Sequence, residues 1–203
     1  MYSAFVLVIV VGPLTVLLDP GFDTSNQLIL INTFLRMFGL LAFSVLFIQI
    51  VLGSNMSWFT NVIGAKAYKY HIVLAFSVLF LIILHPLFYS LLLLAKSGVN
   101  GLLSAFFPSG LFGKEEVYIS LGRISFSILV LVFIAGYYRT KPILRRNWKK
   151  VHLLSIAAFF LVAIHSWNIG SDVGSIPFVW FYFLAVFAVV LIAIREMYNY
   201  IKY

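Results

Sequence analysis

The sequence predicts an all-α membrane protein, a six-helix transmembrane bundle forming a single domain over residues 1–203. Three observations predict it. Of the 203 residues, 63% are hydrophobic and 10% charged, with a mean hydropathy of +1.08; a soluble domain of this length needs far more polar surface to cover itself. Six apolar segments, 3–18, 28–52, 69–95, 117–138, 151–168 and 177–195, lie near the ~20 residues that cross a bilayer's hydrocarbon core. The cations are concentrated in alternate connections, as in a chain whose topology they set.

The first segment is short and holds Pro13, but it lacks the basic start and small-residue cleavage site of a signal peptide, so it is read as a helix. "DPGFDTSN" (19–26) turns the chain into the second span, where Arg36 lies some eight residues in. "GSNMSW" (53–58) leads to the third, "YKYHIVLAFSVLFLIILHPLFYS" at 68–90, which carries His71 and His85. Pro86 is expected to bend that helix just past His85, since it removes an N–H and crowds the preceding turn. The longest connection, 96–116, has room for a short surface helix or a re-entrant turn. The fourth span holds Arg123 about six residues in. The basic loop "YRTKPILRRNWKK" (138–150) opens the fifth span, which bears His152 and His165. "NIGSDVGSIP" (168–177) precedes the sixth, which ends in "REMYNYIKY". No internal repeat is visible, and no soluble domain with a Gly-rich dinucleotide loop.

Orientation follows from the cations. With six spans, one side holds Lys66, Lys69, Arg139, Lys141, Arg145, Arg146, Lys149, Lys150, Arg195 and Lys202, and the other only Lys96 and Lys114. Positive-inside bias then puts both termini in the cytoplasm, and a cell (plasma) membrane is the expected location. The formal charge of +8 is read as this topology, so the partner is the lipid bilayer and not nucleic acid. With no Cys, disulfides, thiolate metal sites, iron–sulfur clusters and covalent C-x-x-C-H haem attachment are all excluded.

All four histidines lie on spans three and five, His71 and His152 near the inner face and His85 and His165 further out. A polar side chain within lipid must be satisfied internally. Fourteen residues separate His71 from His85, which leaves them within about 40° on one helix face and about 21 Å apart along the axis. Thirteen residues separate His152 from His165, leaving about 140°, which a tilt, kink or π-bulge would have to absorb. Facing helices then present two His–His pairs at two depths, and six-coordinate haem iron takes two axial imidazoles. A single histidine in a span is more simply a hydrogen-bonding partner of a neighbouring helix. Four at matched depths favour two b-type haems stacked between spans three and five: iron held by His71 and His152 near the inner face, and by His85 and His165 further out. A transporter or proton relay is the non-redox alternative, but such sites recruit intramembrane carboxylates, and all six acidic residues here fall in loops or at span ends.

Arg36 and Arg123 lie in the outer half at about the depth of His85, where an unpaired guanidinium is costly; haem propionates are suitable bidentate partners. Phe76 and Phe80, and Phe159 and Phe160, lie midway between the histidines of their spans, with core packing the default.

The motifs "YHIVLAFSVLFLIILH" and "NWKKVHLLSIAAFFLVAIH", on spans three and five of six, resemble the ferric reductase-like transmembrane domain family. That superfamily includes ferric reductases, NADPH oxidases and the haem-containing membrane subunit of a bacterial methionine sulfoxide reductase system. The resemblance covers nearly the whole chain, and the uneven histidine spacing is similar to the family's own. It implies a di-haem electron-transfer protein, an oxidoreductase of ferric reductase type. Electrons would come from a cytoplasmic flavoprotein reductase or quinol and reach an outer-face acceptor: a ferric chelate, dioxygen or a partner reductase. Larger members carry a cytoplasmic flavin and NAD(P)H region after the sixth span. Here the chain stops about eight residues beyond it, so FAD or FMN is expected only through a partner. The alternative within the family is the haem membrane subunit of a quinol-linked or sulfoxide-reductase system.

Overall fold

The computed structural model describes residues 2–19, 25–107, 113–142 and 148–202. Regular structure among them is entirely helical: α1 (Tyr2–Leu17), α2 (Gln27–Ser54), α3 (Met56–Ile63), α4 (Lys66–Phe106), α5 (Lys114–Tyr137), α6 (Trp148–Ile169) and α7 (Phe178–Lys202). Five of these, α2 and α4–α7, are long and apolar enough to cross a membrane. The chain is an integral membrane protein. The remaining apolar helix, α1, has 16 residues, about 24 Å of rise against a core of about 30 Å.

Local chemistry sets the ends of these helices. Asn26 caps α2, its side chain accepting from the Leu28 amide at 2.9 Å, which satisfies one of the orphan donors of a helix start. The backbone at Pro86 stays helical; the break in α4 falls instead at Ser97 and Gly98, where Gly98 takes φ +62°. That conformation needs a residue without Cβ. Beyond the break, α4 runs on as a short helix to Phe106, within the connection expected to hold one.

Tertiary packing is closest within two helix pairs, α2 with α4 and α5 with α6. Between them, Phe43, Phe159 and Phe178 are fully buried, with Phe43 5.1 Å from Phe159 and 5.4 Å from Tyr182. Phe159 is therefore a core residue, as expected. Phe76 and Phe80 instead lie with Ile83 and Leu87 on an exposed apolar stripe of α4, the face such a helix turns to lipid. Two polar groups inside this apolar core are paired: Ser125 Oγ donates to the Ala158 carbonyl and Tyr182 Oη to that of Ala163, both at 2.9 Å. Unpaired, each would cost free energy that no water is present to relieve.

Candidate functional site

Helices α4 and α6 carry the histidines, and the bundle brings them together in the expected pairs. The His71 and His152 ring centres are 6.0 Å apart, with planes at 61°; those of His85 and His165 are 6.4 Å apart, at 83°. The awkward thirteen-residue spacing needs no distortion: α6 is α-helical throughout, so helix crossing and side-chain reach absorb the angle.

What seats each ring is a glycine on the adjoining helix. A Cβ at Gly39 would come within 2.9 Å of His85, at Gly53 within 2.9 Å of His71, and at Gly122 within 2.9 Å of His165. Gly136 faces His152 at 3.9 Å. Both glycines of α2 serve the histidines of α4, and both of α5 those of α6, with fourteen residues between the members of each glycine pair. The chain thus repeats one device twice, a glycine helix followed by a histidine helix. This two-fold repetition is not visible in the sequence, because the connections between its parts differ in length and composition.

The two pairs differ in hydrogen bonding. His85 Nδ1 donates to the Leu35 carbonyl at 3.0 Å, and His165 Nδ1 to the Tyr118 carbonyl at 2.8 Å. Each acceptor lies one turn before the glycine that admits the ring. These bonds fix the proton on Nδ1 and leave Nε2 as a lone-pair donor, the arrangement that metal-ligating imidazoles adopt. In the other pair, the Nδ1 atoms of His71 and His152 are buried without a partner, and so is Oε1 of Gln49, whose amide nitrogen lies 3.3 Å from His71 Nε2.

Two imidazoles are too few to hold a free metal ion, and the described residues contain no group of three or more His, Cys, Asp or Glu able to do so. A metal that brings four ligands in its own plane needs only two more, one on each side. A metal–imidazole nitrogen bond of about 2 Å on each side, with each ring centre about 1.1 Å beyond its nitrogen, sums to about 6.2 Å. Both observed separations match that span. The residues fit haem.

Arg36 and Arg123 have partners from the chain itself. Arg36 pairs with Asp172 through a two-pronged contact, Nε to Oδ2 at 2.7 Å and Nη2 to Oδ1, and its Nη2 also reaches Asp19. Arg123 pairs with Glu116 and donates to the Ser104 and Ala105 carbonyls at 3.1 and 3.2 Å, which caps the end of α4. Both adjoin the site in sequence: Arg36 follows Leu35, which holds His85, and Arg123 follows Gly122, which seats His165. Arg145 and Arg146 of the basic loop lie outside the described residues.

The family model described as "Ferric reductase like transmembrane component" matches residues 38–163, more than half of the chain. The matched stretch holds His71, His85, His152 and all four ring-seating glycines, and ends two residues before His165. No curated protein and no solved structure matches the chain.

Proposed function

The chain belongs to the ferric reductase-like transmembrane component family, and from that premise we propose that it is a di-haem b-type protein carrying electrons across the cell membrane. The observation that carries this reading is the pair of His–His separations, 6.0 and 6.4 Å, at two levels along the same two helices. His71 and His152 hold the inner group, and His85 and His165 the outer. Two bound b-type haems supply one-electron carriers at two depths of the bilayer.

The chain's own residues present and orient the ligands. Gly39, Gly53 and Gly122 let the rings lie against neighbouring backbone, and the Leu35 and Tyr118 carbonyls fix the tautomer of the outer two. Each bound haem would take both histidines of its couple, so the outer acceptor would be reduced at the edge of the site without binding to the metal. In this reading α1 is the first of six spans, packed through Gly12 against Leu40 of α2. Both termini and the basic loop 138–150 are cytoplasmic, where a flavoprotein or quinol donor delivers electrons. We assign Arg36 and Arg123 to holding the outer end of the bundle together rather than to haem propionates. Arg123 is engaged through all three of its nitrogens and Arg36 through Nε and Nη2, and a guanidinium facing both Asp19 and Asp172 already has more negative charge than it neutralises.

In proteoliposomes with a reductant inside, an impermeant ferric chelate outside should be reduced. His85→Ala and His165→Ala should abolish that reduction while the inner haem still becomes reduced. His71→Ala and His152→Ala should prevent both. Reduction of the external chelate at wild-type rates by all four variants would sink the proposal.

A further inference from the structure

Four buried side-chain polar atoms among the described residues have no hydrogen-bond partner, and three of them belong to the inner site: Gln49 Oε1, His71 Nδ1 and His152 Nδ1. The outer site has none, because the Leu35 and Tyr118 carbonyls take both Nδ1 protons. Each of those acceptors sits four residues before its glycine. The corresponding positions in the inner site are Gln49, before Gly53, and Val132, before Gly136. Val132 has no polar side chain, and the Gly136–His152 approach is the loosest of the four at 3.9 Å. Gln49 brings to its position a side-chain oxygen of its own.

We propose that Gln49 is a positioning residue of the inner site, its amide oxygen accepting the Nδ1–H of His71 once Nε2 of that ring is engaged by a metal. The inference rests on the haem reading above. In the structure the Gln49 amide nitrogen sits 3.3 Å from His71 Nε2, the atom an iron would take. An amide N–H donating there puts the ring proton on Nδ1, so a buried donor and a buried acceptor face the same problem at one place. The edge of the ring against α2 is Cε1, 2.9 Å from the Cβ position of Gly53, with Nδ1 at 3.6 Å and Nε2 at 3.9 Å. Both ring nitrogens thus flank the atom nearest α2, one turn from Gln49 on the same helix face. Rotation about the Gln49 side-chain bonds moves the amide from one nitrogen to the other. The move pairs two of the three orphan atoms and gives His71 what Leu35 gives His85. An acceptor on Nδ1–H makes an imidazole more basic and fixes its orientation.

The test uses the full chain purified with its haems, the inner one assigned by His85→Ala, which removes the outer. Gln49→Leu should raise the inner haem's midpoint potential, because a less basic ligand favours ferrous iron. Capture by excess apomyoglobin should show that haem held about 10–100-fold less tightly. The outer haem should keep its potential and its retention. Gln49→Glu, which keeps an acceptor oxygen at the same reach, should restore retention. An inner haem unmoved by Gln49→Leu, an equal shift at both haems, or failure of Gln49→Glu to restore retention would each overturn the role of Gln49 and leave the di-haem reading standing. A wild-type chain that binds no haem would remove both.

Discussion

A methyl group added at Gly39 or Gly122 would meet an imidazole at 2.9 Å, whereas one added at Gly136 has 3.9 Å of room. On helix propensity alone each Gly→Ala change should stabilise its helix by about 1 kcal/mol. The site imposes the opposite sign at the first two positions. Gly39→Ala and Gly122→Ala should each lose the outer haem on purification, while Gly136→Ala keeps both, as haem-to-protein ratios will show. Equal loss in all three would mean that the glycines serve helix packing generally and not the rings. At this scale the sequence was half legible. His71, His85, His152 and His165 stand out because a polar ring in an apolar span has few reasons to be there. Their glycine partners do not stand out, since glycine is common in membrane helices and only the ring lying against each one shows its use.

At the scale of elements, the end of the bundle nearer His85 and His165 is tied by Arg36 of α2 to Asp172 in the α6–α7 connection and to Asp19 after α1. Asp172 is only 5% exposed, so removing the guanidinium leaves a buried carboxylate without its main counter-charge. Arg36→Leu should cost about 3–5 kcal/mol, and Arg36→Leu with Asp172→Asn together much less than that. Thermal unfolding in detergent measures the difference. A single variant as stable as wild type would show that the pair is dispensable. The sequence offered Arg36 as a cation in need of a partner but could not supply Asp172, 136 residues away. The break in α4 was equally hidden: Pro86 is the conspicuous helix-breaker, yet the chain turns at Ser97–Gly98, where a glycine can take a positive φ. Pro86 keeps helical backbone angles, and Ser90 Oγ bonds back to its carbonyl at 2.9 Å.

For the whole molecule, the membrane class was readable from composition because no packing arrangement hides a chain that is 63% hydrophobic. The helices α2 and α4–α7 follow the apolar segments closely, and the family match agrees with the resemblance drawn from the histidine motifs. The two-fold device that repeats a glycine helix and a histidine helix was not readable, since it exists only as contacts between helices. It also explains why the site has two like halves: each closely packed pair, α2 with α4 and α5 with α6, offers one imidazole at each of the two levels. Joining the pairs makes both His–His couples at once, so loss of one ring should empty one site and leave the other intact. The central claim is that each couple holds a haem, and it is tested most directly by counting haem per chain as the pyridine haemochrome in the wild type and in His71→Ala and His85→Ala. Two haems in the wild type and one in each variant is the result expected. No haem in the wild type, or two retained in both variants, would contradict it.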